Sequence, residues 1–187
     1  MSQEQLALRQ MLERRERDYL LAKTRVKMRS SLENFESGDF AVARLEEGQT
    51  AELPRWVADE LVGLKMAEEV DEPFDVEILR ALSREKMMGP LQLSTLPEDF
   101  YLKMRRRLGY LAGAVADGRA KKEDVDRLKV ACRDIVGIRL SKLLSLSSSA
   151  TPSSALDGRV TPEEAAFFTS SQALSKEWRM ALLEGRD

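Results

Sequence analysis

The sequence predicts a mainly α fold, a helical bundle domain preceded by a small α/β domain, and three observations carry it. Two long stretches within residues 94–146 repeat apolar side chains at steps of three and four, with the polar corner Asp117-Gly118-Arg119 between them. The period changes to two near residue 24, where Val26, Met28 and Ser30 alternate with Arg25, Lys27 and Arg29, as in a strand with one wet face. Aromatics supply only 6% of the 187 residues against 43% hydrophobic, so the core must come mostly from Leu, Val, Ala and Met.

Residues 1–23 are expected to form an N-terminal helix. Good helix formers fill it, no Gly or Pro interrupts it, and arginines alternate with glutamates as on a solvated amphipathic surface. Residues 24–72 form the small α/β domain. After its first strand, Ser37-Gly38-Asp39 turns the chain into a second strand over 40–45, and Glu46-Glu47-Gly48-Gln49 turns it again. Leu53-Pro54-Arg55-Trp56-Val57 opens a helix, with Pro54 at the first helical position, where a missing N–H costs nothing. That helix buries Trp56 or Val57 with Leu61 and Leu64 and ends near Gly63. Asp71-Glu72-Pro73 reads as a connector.

The bundle domain spans 73–147. Its first helix carries Val76, Leu79 and Leu82 at steps of three and stops at Gly89-Pro90. Pro97 opens the second, with Glu98 and Asp99 complementing the helix N-terminus, and its stripe is Phe100, Met104, Leu108, Leu111 and Val115. The third repeats the pattern with Val125, Leu128, Cys132, Ile135 and Leu146, but Arg139 and Lys142 fall on the same stripe. A buried cation must be paired or must snorkel, because burying it alone costs several kcal/mol. The expected role is structural, paired with an acid such as Asp99 or Asp134. The alternative sets both cations at a subunit interface, where Arg orients a partner by bidentate bonding.

Residues 148–160 are rich in Ser, with Pro152 and Gly158, and read as a mobile linker. A C-terminal helix over 161–187 follows. Thr161-Pro162-Glu163-Glu164 is a capping box, and Phe167, Leu174, Trp178 and Leu182 then share one face, to pack on the bundle or on another subunit.

The composition narrows function by exclusion. Histidine is absent, which removes the commonest general base and metal ligand, and a single Cys rules out an internal disulfide or Cys-rich metal site. No Gly-rich phosphate loop or nucleophile elbow occurs, and the acidic pairs Glu46/Glu47, Glu68/Glu69 and Glu163/Glu164 read as solvated or helix-capping residues. The chain is therefore expected to be no enzyme and to need no cofactor or metal. A net charge of −2 argues against strong sequence-independent nucleic-acid binding. Arg105-Arg106-Arg107 is the densest cationic cluster; it reads as a solvated or salt-bridged surface, with contact to a nucleic-acid backbone or acidic partner as the alternative. No run approaches the roughly 20 apolar residues of a membrane span, and the N-terminus lacks the apolar core of a signal peptide, so an intracellular protein is expected.

Three motifs in order make the sequence resemble the GINS replication-complex family. They are Leu53-Pro54-Arg55-Trp56-Val57-Ala58-Asp59-Glu60-Leu61, Leu96-Pro97-Glu98-Asp99-Phe100-Tyr101, and Asp134-Ile135-Val136-Gly137-Ile138-Arg139-Leu140-Ser141-Lys142-Leu143. The order, small domain first, is similar to the Psf-two/Psf-three branch, in its archaeal form. The resemblance implies a non-catalytic scaffold that assembles with other GINS-type subunits into a tetramer, in the cytoplasm at the nucleoid. Such a tetramer bridges the MCM replicative helicase to a RecJ-like or equivalent partner, and engages polymerase or primase, with weak or indirect DNA contact. Interface candidates are then Trp56, Leu61, Phe100, Tyr101, Met104, Leu108, Leu111, Arg139, Lys142, Phe167 and Trp178, since buried aromatics and Arg dominate interface energetics. A reading from another class is a helical nucleic-acid-binding regulator that uses the basic residues at 25–29 and 105–107.

Overall fold

The two-residue period becomes strand β1 (Lys23–Met28), whose residues alternate between solvent and core along its whole length in a computed structural model of the protein. The structure describes residues 3–37, 40–70, 74–149 and 152–183. The chain divides into two compact units, Met1–Pro73 and Phe74–Asp187. The expected connector Asp71-Glu72-Pro73 and the turn residues Gly38 and Asp39 lie outside the described residues.

In the first unit, helix α1 (Gln3–Leu21) leads into β1. A short hairpin of β2 (Phe35–Ser37) and β3 (Phe40–Val42) follows, then β4 (Thr50–Pro54), helix α2 (Arg55–Gly63) and β5 (Ala67–Glu69). β1 is the centre of an antiparallel sheet of order β4–β1–β5, with Val26 opposite both Ala51 and Glu69. Strands β2, β4 and β5 were not expected. Pro54 ends β4 and caps α2 instead of occupying its first turn, so its missing N–H sits at a strand end.

The hydrophobic core of this unit is built from Val26, Met28, Val42, Leu45, Leu53, Val57, Ala58, Leu61 and Ala67, and Thr24 of β1 is buried beside it. α2 buries Val57 and Ala58, while Trp56 and Leu64 stay exposed, so Val57 is the side chain that fills the core. Met66 N–H donates to the Leu61 carbonyl and Lys65 N–H to that of Val62, a Schellman closure with Lys65 at φ 62°. Across it, Arg55 lies over the Tyr19 ring at 4.4 Å and ties α2 to α1.

The second unit packs α3 (Phe74–Met87), α4 (Phe100–Ala116), α5 (Lys122–Ser148) and α6 (Pro162–Leu183), with a 3-10 turn (Ser153–Leu156) before the last. Its main core joins Ile78, Ala81 and Leu82 of α3 to Phe100 and Leu111 of α4 and to Val125, Leu128, Cys132 and Ile135 of α5. The stripes expected on α4 and α5 are the ones that pack. On α3 the expected stripe holds at Leu82 alone. Ile78, Ala81, Leu82 and Glu85 turn inward, and the expected Val76 and Leu79 face solvent.

α4 begins at Phe100, three residues beyond Pro97, because the Pro97 carbonyl accepts the Phe100 N–H in a preceding turn. Gly118 closes α4 at φ 70° with the same two Schellman bonds, from Arg119 to Ala114 and from Gly118 to Val115. The stretch expected as a mobile linker is anchored in part. Leu156 is buried with Leu93, Leu143, Leu146 and Phe168, and Val160 packs on that cluster. One leucine at the 3-10 turn and one valine near α6 were enough to dock it; Ala150 and Thr151 lie outside the described residues.

Candidate functional site

The two cations that interrupt the α5 stripe lie in the second unit's interior. Arg139 is fully buried and Lys142 nearly so. A guanidinium carries five N–H donors, and each here has an acceptor. Nε and Nη2 clasp the Glu164 carboxylate at 2.5 and 2.6 Å. Nη1 donates to Glu85 Oε2 and to the Ser94 carbonyl, both at 2.8 Å, and Nη2 also donates to the Arg159 carbonyl at 3.0 Å. The three ammonium donors of Lys142 go to Glu85 Oε1 at 2.8 Å, the Glu85 carbonyl at 2.9 Å and the Gln92 carbonyl at 3.0 Å.

The carboxylates are as fully engaged. Ser94 donates to Glu85 Oε2 through its hydroxyl at 2.6 Å and its backbone N–H at 3.1 Å. Tyr101 donates its phenol to Glu164 Oε1 at 2.6 Å. Glu164 is also the capping-box residue of α6, accepting the Thr161 N–H at 3.0 Å. Two cations and two carboxylates therefore cancel inside a protein interior, the condition under which buried charge is tolerated. The cluster draws on α3, the segment after it, α4, α5 and α6, and so pins all four helices at one point.

Its electrostatics follow. Burial pushes the Glu85 carboxyl up, but hydrogen bonds from Lys142 and Ser94 and the charge of Arg139 outweigh it, leaving the group below the ordinary carboxylate range. Burial and then Glu164 raise the Tyr101 phenol far above its usual value, which keeps it a neutral donor. Burial opposes the Arg139 charge, yet Glu164 more than compensates. Nearby, burial and Asp75 push the Cys132 thiol up to about 11, so it stays protonated, a packed hydrophobe and no nucleophile.

The sequence reading therefore needs correction on the partners of Arg139 and Lys142. Asp99 is held by Lys103 at 3.1 Å and Asp134 by Lys86 at 3.4 Å, leaving Glu85 and Glu164 to neutralise the stripe. Of the interface candidates, Phe100, Leu111, Arg139 and Lys142 are buried within the second unit and Leu61 within the first. Tyr101, Met104 and Leu108 are half-buried against the main core, and Phe167 against the Leu143–Phe168 cluster. Trp56 and Trp178 stand exposed. Of the triple-arginine run, Arg107 grips Asp75 with two bonds of 2.7 and 2.8 Å, and Arg29 of the 25–29 segment grips Glu68 at 2.7 Å. Neither set is a free cationic patch. The signal that could have revealed Glu85 was its place on the α3 stripe with Ile78 and Leu82, an acid where a helix wants an apolar residue.

An open apolar surface lies on α6. Glu164 and Phe168 are the buried residues of that helix, both in its first two turns. Further on, Leu174, Trp178 and Leu182 follow at steps of four and are 68%, 65% and 62% exposed. Leu140 and Leu144 of α5 are also open to solvent. α6 runs in the same direction as α5, since Glu164 meets Arg139, Phe168 meets Leu143 and Leu146, and Arg179 donates to the Ser148 carbonyl.

Residues 73–183, more than half the chain, match the family model of Sld5, described as the GINS complex protein helical bundle domain. The chain belongs to the GINS family. The match runs through α6, so the GINS bundle includes the helix that carries the open stripe. No curated protein matches the chain. Among the described residues of this GINS protein, no helix is long and apolar enough to cross a membrane, and no group of three His, Cys, Asp or Glu could hold a metal ion.

Proposed function

We propose that this GINS chain is a non-catalytic scaffold subunit that assembles with other GINS-type subunits, as a tetramer, through the outer face of α6. The observation that carries the reading is the Leu174, Trp178, Leu182 stripe. Large apolar side chains one turn apart on a solvent-facing helix favour burial against a second protein, and Trp is enriched among the anchors of such contacts. Leu140 and Leu144 of α5 are further exposed apolar side chains of the bundle, and the buried ion cluster holds α6 to the bundle at its first turn. The small unit precedes the bundle in the chain, which favours the Psf-two/Psf-three branch, in its archaeal form. Within replication, the assembly would link the MCM helicase to a RecJ-like or equivalent partner and support polymerase or primase at the fork, in the cytoplasm at the nucleoid.

The test is the mass of the purified chain, alone and mixed with its cognate GINS subunit, at micromolar concentration. A stable hetero-oligomer is expected, and Trp178→Asp should weaken it by about thirtyfold or more while leaving the helical circular dichroism signal unchanged. A chain that stays monomeric in both conditions overturns the reading. Undiminished assembly by Trp178→Asp removes the α6 stripe from it.

A further inference from the structure

Helix α3 has two apolar faces, and the bundle uses one of them. Ile78, Ala81 and Leu82 are buried with Glu85, whereas Val76, Leu79, Ser83 and Met87 recur at steps of three and four on the outside. Val76 is 40%, Leu79 52% and Met87 87% exposed. With Arg80 and Arg84 these residues form an open face that runs along the helix for about three turns. The two arginines are one turn apart and form one edge of it.

The charge on that edge is the informative part. Several cations of the bundle surface are matched, Lys86 by Asp134, Lys103 by Asp99, Arg107 by Asp75 and Arg119 by Asp117. Arg80 and Arg84 have no carboxylate within ion-pair distance among the described residues, although Glu77 lies on the same side of the helix. An apolar stripe with uncompensated guanidiniums along one border asks for the inverse pattern. We propose that the outer face of α3 is a docking surface for an acidic amphipathic helix of a partner protein. Its apolar side would cover Val76, Leu79 and Met87, and two carboxylates one turn apart would meet Arg80 and Arg84, since both repeats are about 6 Å. Guanidinium–carboxylate pairing at a rim sets orientation and rejects basic helices by like-charge repulsion. A nucleic-acid backbone suits the site poorly, because phosphates laid along the face would cover the apolar stripe and meet only two cations. The inference is separate from the α6 reading and uses none of its residues.

The probe is a stapled helical peptide as long as α3, with leucines at steps of three and four and glutamates one turn apart on one flank. A matched peptide carries lysines in place of the glutamates. Fluorescence anisotropy with the full chain should show the glutamate peptide binding at least about tenfold more tightly, with affinity falling as salt rises. Arg80→Glu with Arg84→Glu should remove that preference, and Met87→Ser should weaken the glutamate peptide. These side chains are exposed, so thermal melts of the variants should match the parent. Trp178→Asp should leave peptide binding unchanged, which separates this site from subunit assembly. Equal affinity for both peptides, no effect of the double arginine variant, or duplex DNA binding lost in that variant while the peptide fails to bind, each overturns the proposal.

Discussion

The two units solve the problem of charge in opposite ways. In the small unit every cation of β1 is turned outward, and no charged side chain is buried among the described residues, the core being aliphatic, Met included, with Thr24 and Tyr19 buried as well. The bundle takes four full charges inside and satisfies them donor by donor. An apolar core is non-directional, so one side chain can replace another of similar volume with small loss. A buried ion cluster is directional, and each missing donor leaves an acceptor with neither water nor partner. The small unit should therefore be tolerant and the bundle brittle, even though both are built from ordinary aliphatic residues around those centres.

The comparison can be broken most directly at Arg139. Arg139→Ala should cost about 3–5 kcal/mol in urea unfolding of the full chain, because Glu85 and Glu164 stay buried with less than their share of positive charge. Arg139→Lys keeps the charge but supplies three donors for five acceptors, and should still cost about 2–4 kcal/mol. The matching conservative change in the small unit, Met28→Leu, should cost less than about 1.5 kcal/mol. If Met28→Leu proved as damaging as Arg139→Lys, the contrast between the units would fail.

Acid should also single out the bundle. The Glu85 carboxyl sits below its ordinary value of 4.5 in the fold, so the folded state holds its charge to lower pH than the unfolded chain does. Its stabilising contribution is therefore complete above about pH 4.5 and is lost as pH falls through the folded value. Urea midpoints measured from about pH 6 down to pH 3 should decline at the acid end, and Glu85→Gln should be weaker at pH 6 with a shallower decline. The smallest effect concerns the two Schellman closures. Gly118 occupies the left-handed position in the bundle and Lys65 in the small unit, so Lys65→Gly should raise stability by up to about 1 kcal/mol, read as a higher unfolding midpoint.

Periodic elements were the readable ones. β1, α4 and α5 announce their buried faces because many residues repeat one rule, and the capping box of α6 announces its start. β2, β4 and β5 were not readable, being three to five residues long and defined by pairing with distant partners and not by their own composition. The inner face of α3 was misread for a more instructive reason. Glu85 counts as polar in any periodicity, so the step of three through Val76, Leu79 and Leu82 stood out, and the inward set that joins Leu82 to Ile78, Ala81 and Glu85 did not. Its acceptance in the interior depends on Arg139 and Lys142, which follow 54 and 57 residues later. The oddity of two cations on an apolar face was visible; the identity of the acids was a matter of tertiary geometry.

Glu164 stands 25 residues beyond Arg139, and both its carboxylate oxygens are committed to that arginine. During synthesis α3, α4 and α5 emerge before the acid that completes their centre exists. Until α6 arrives, Arg139 has Glu85 and the Ser94 carbonyl but lacks its two bonds to Glu164. A chain cut short before the first turn of α6 should therefore form a less stable bundle, with a buried cation short of its carboxylate.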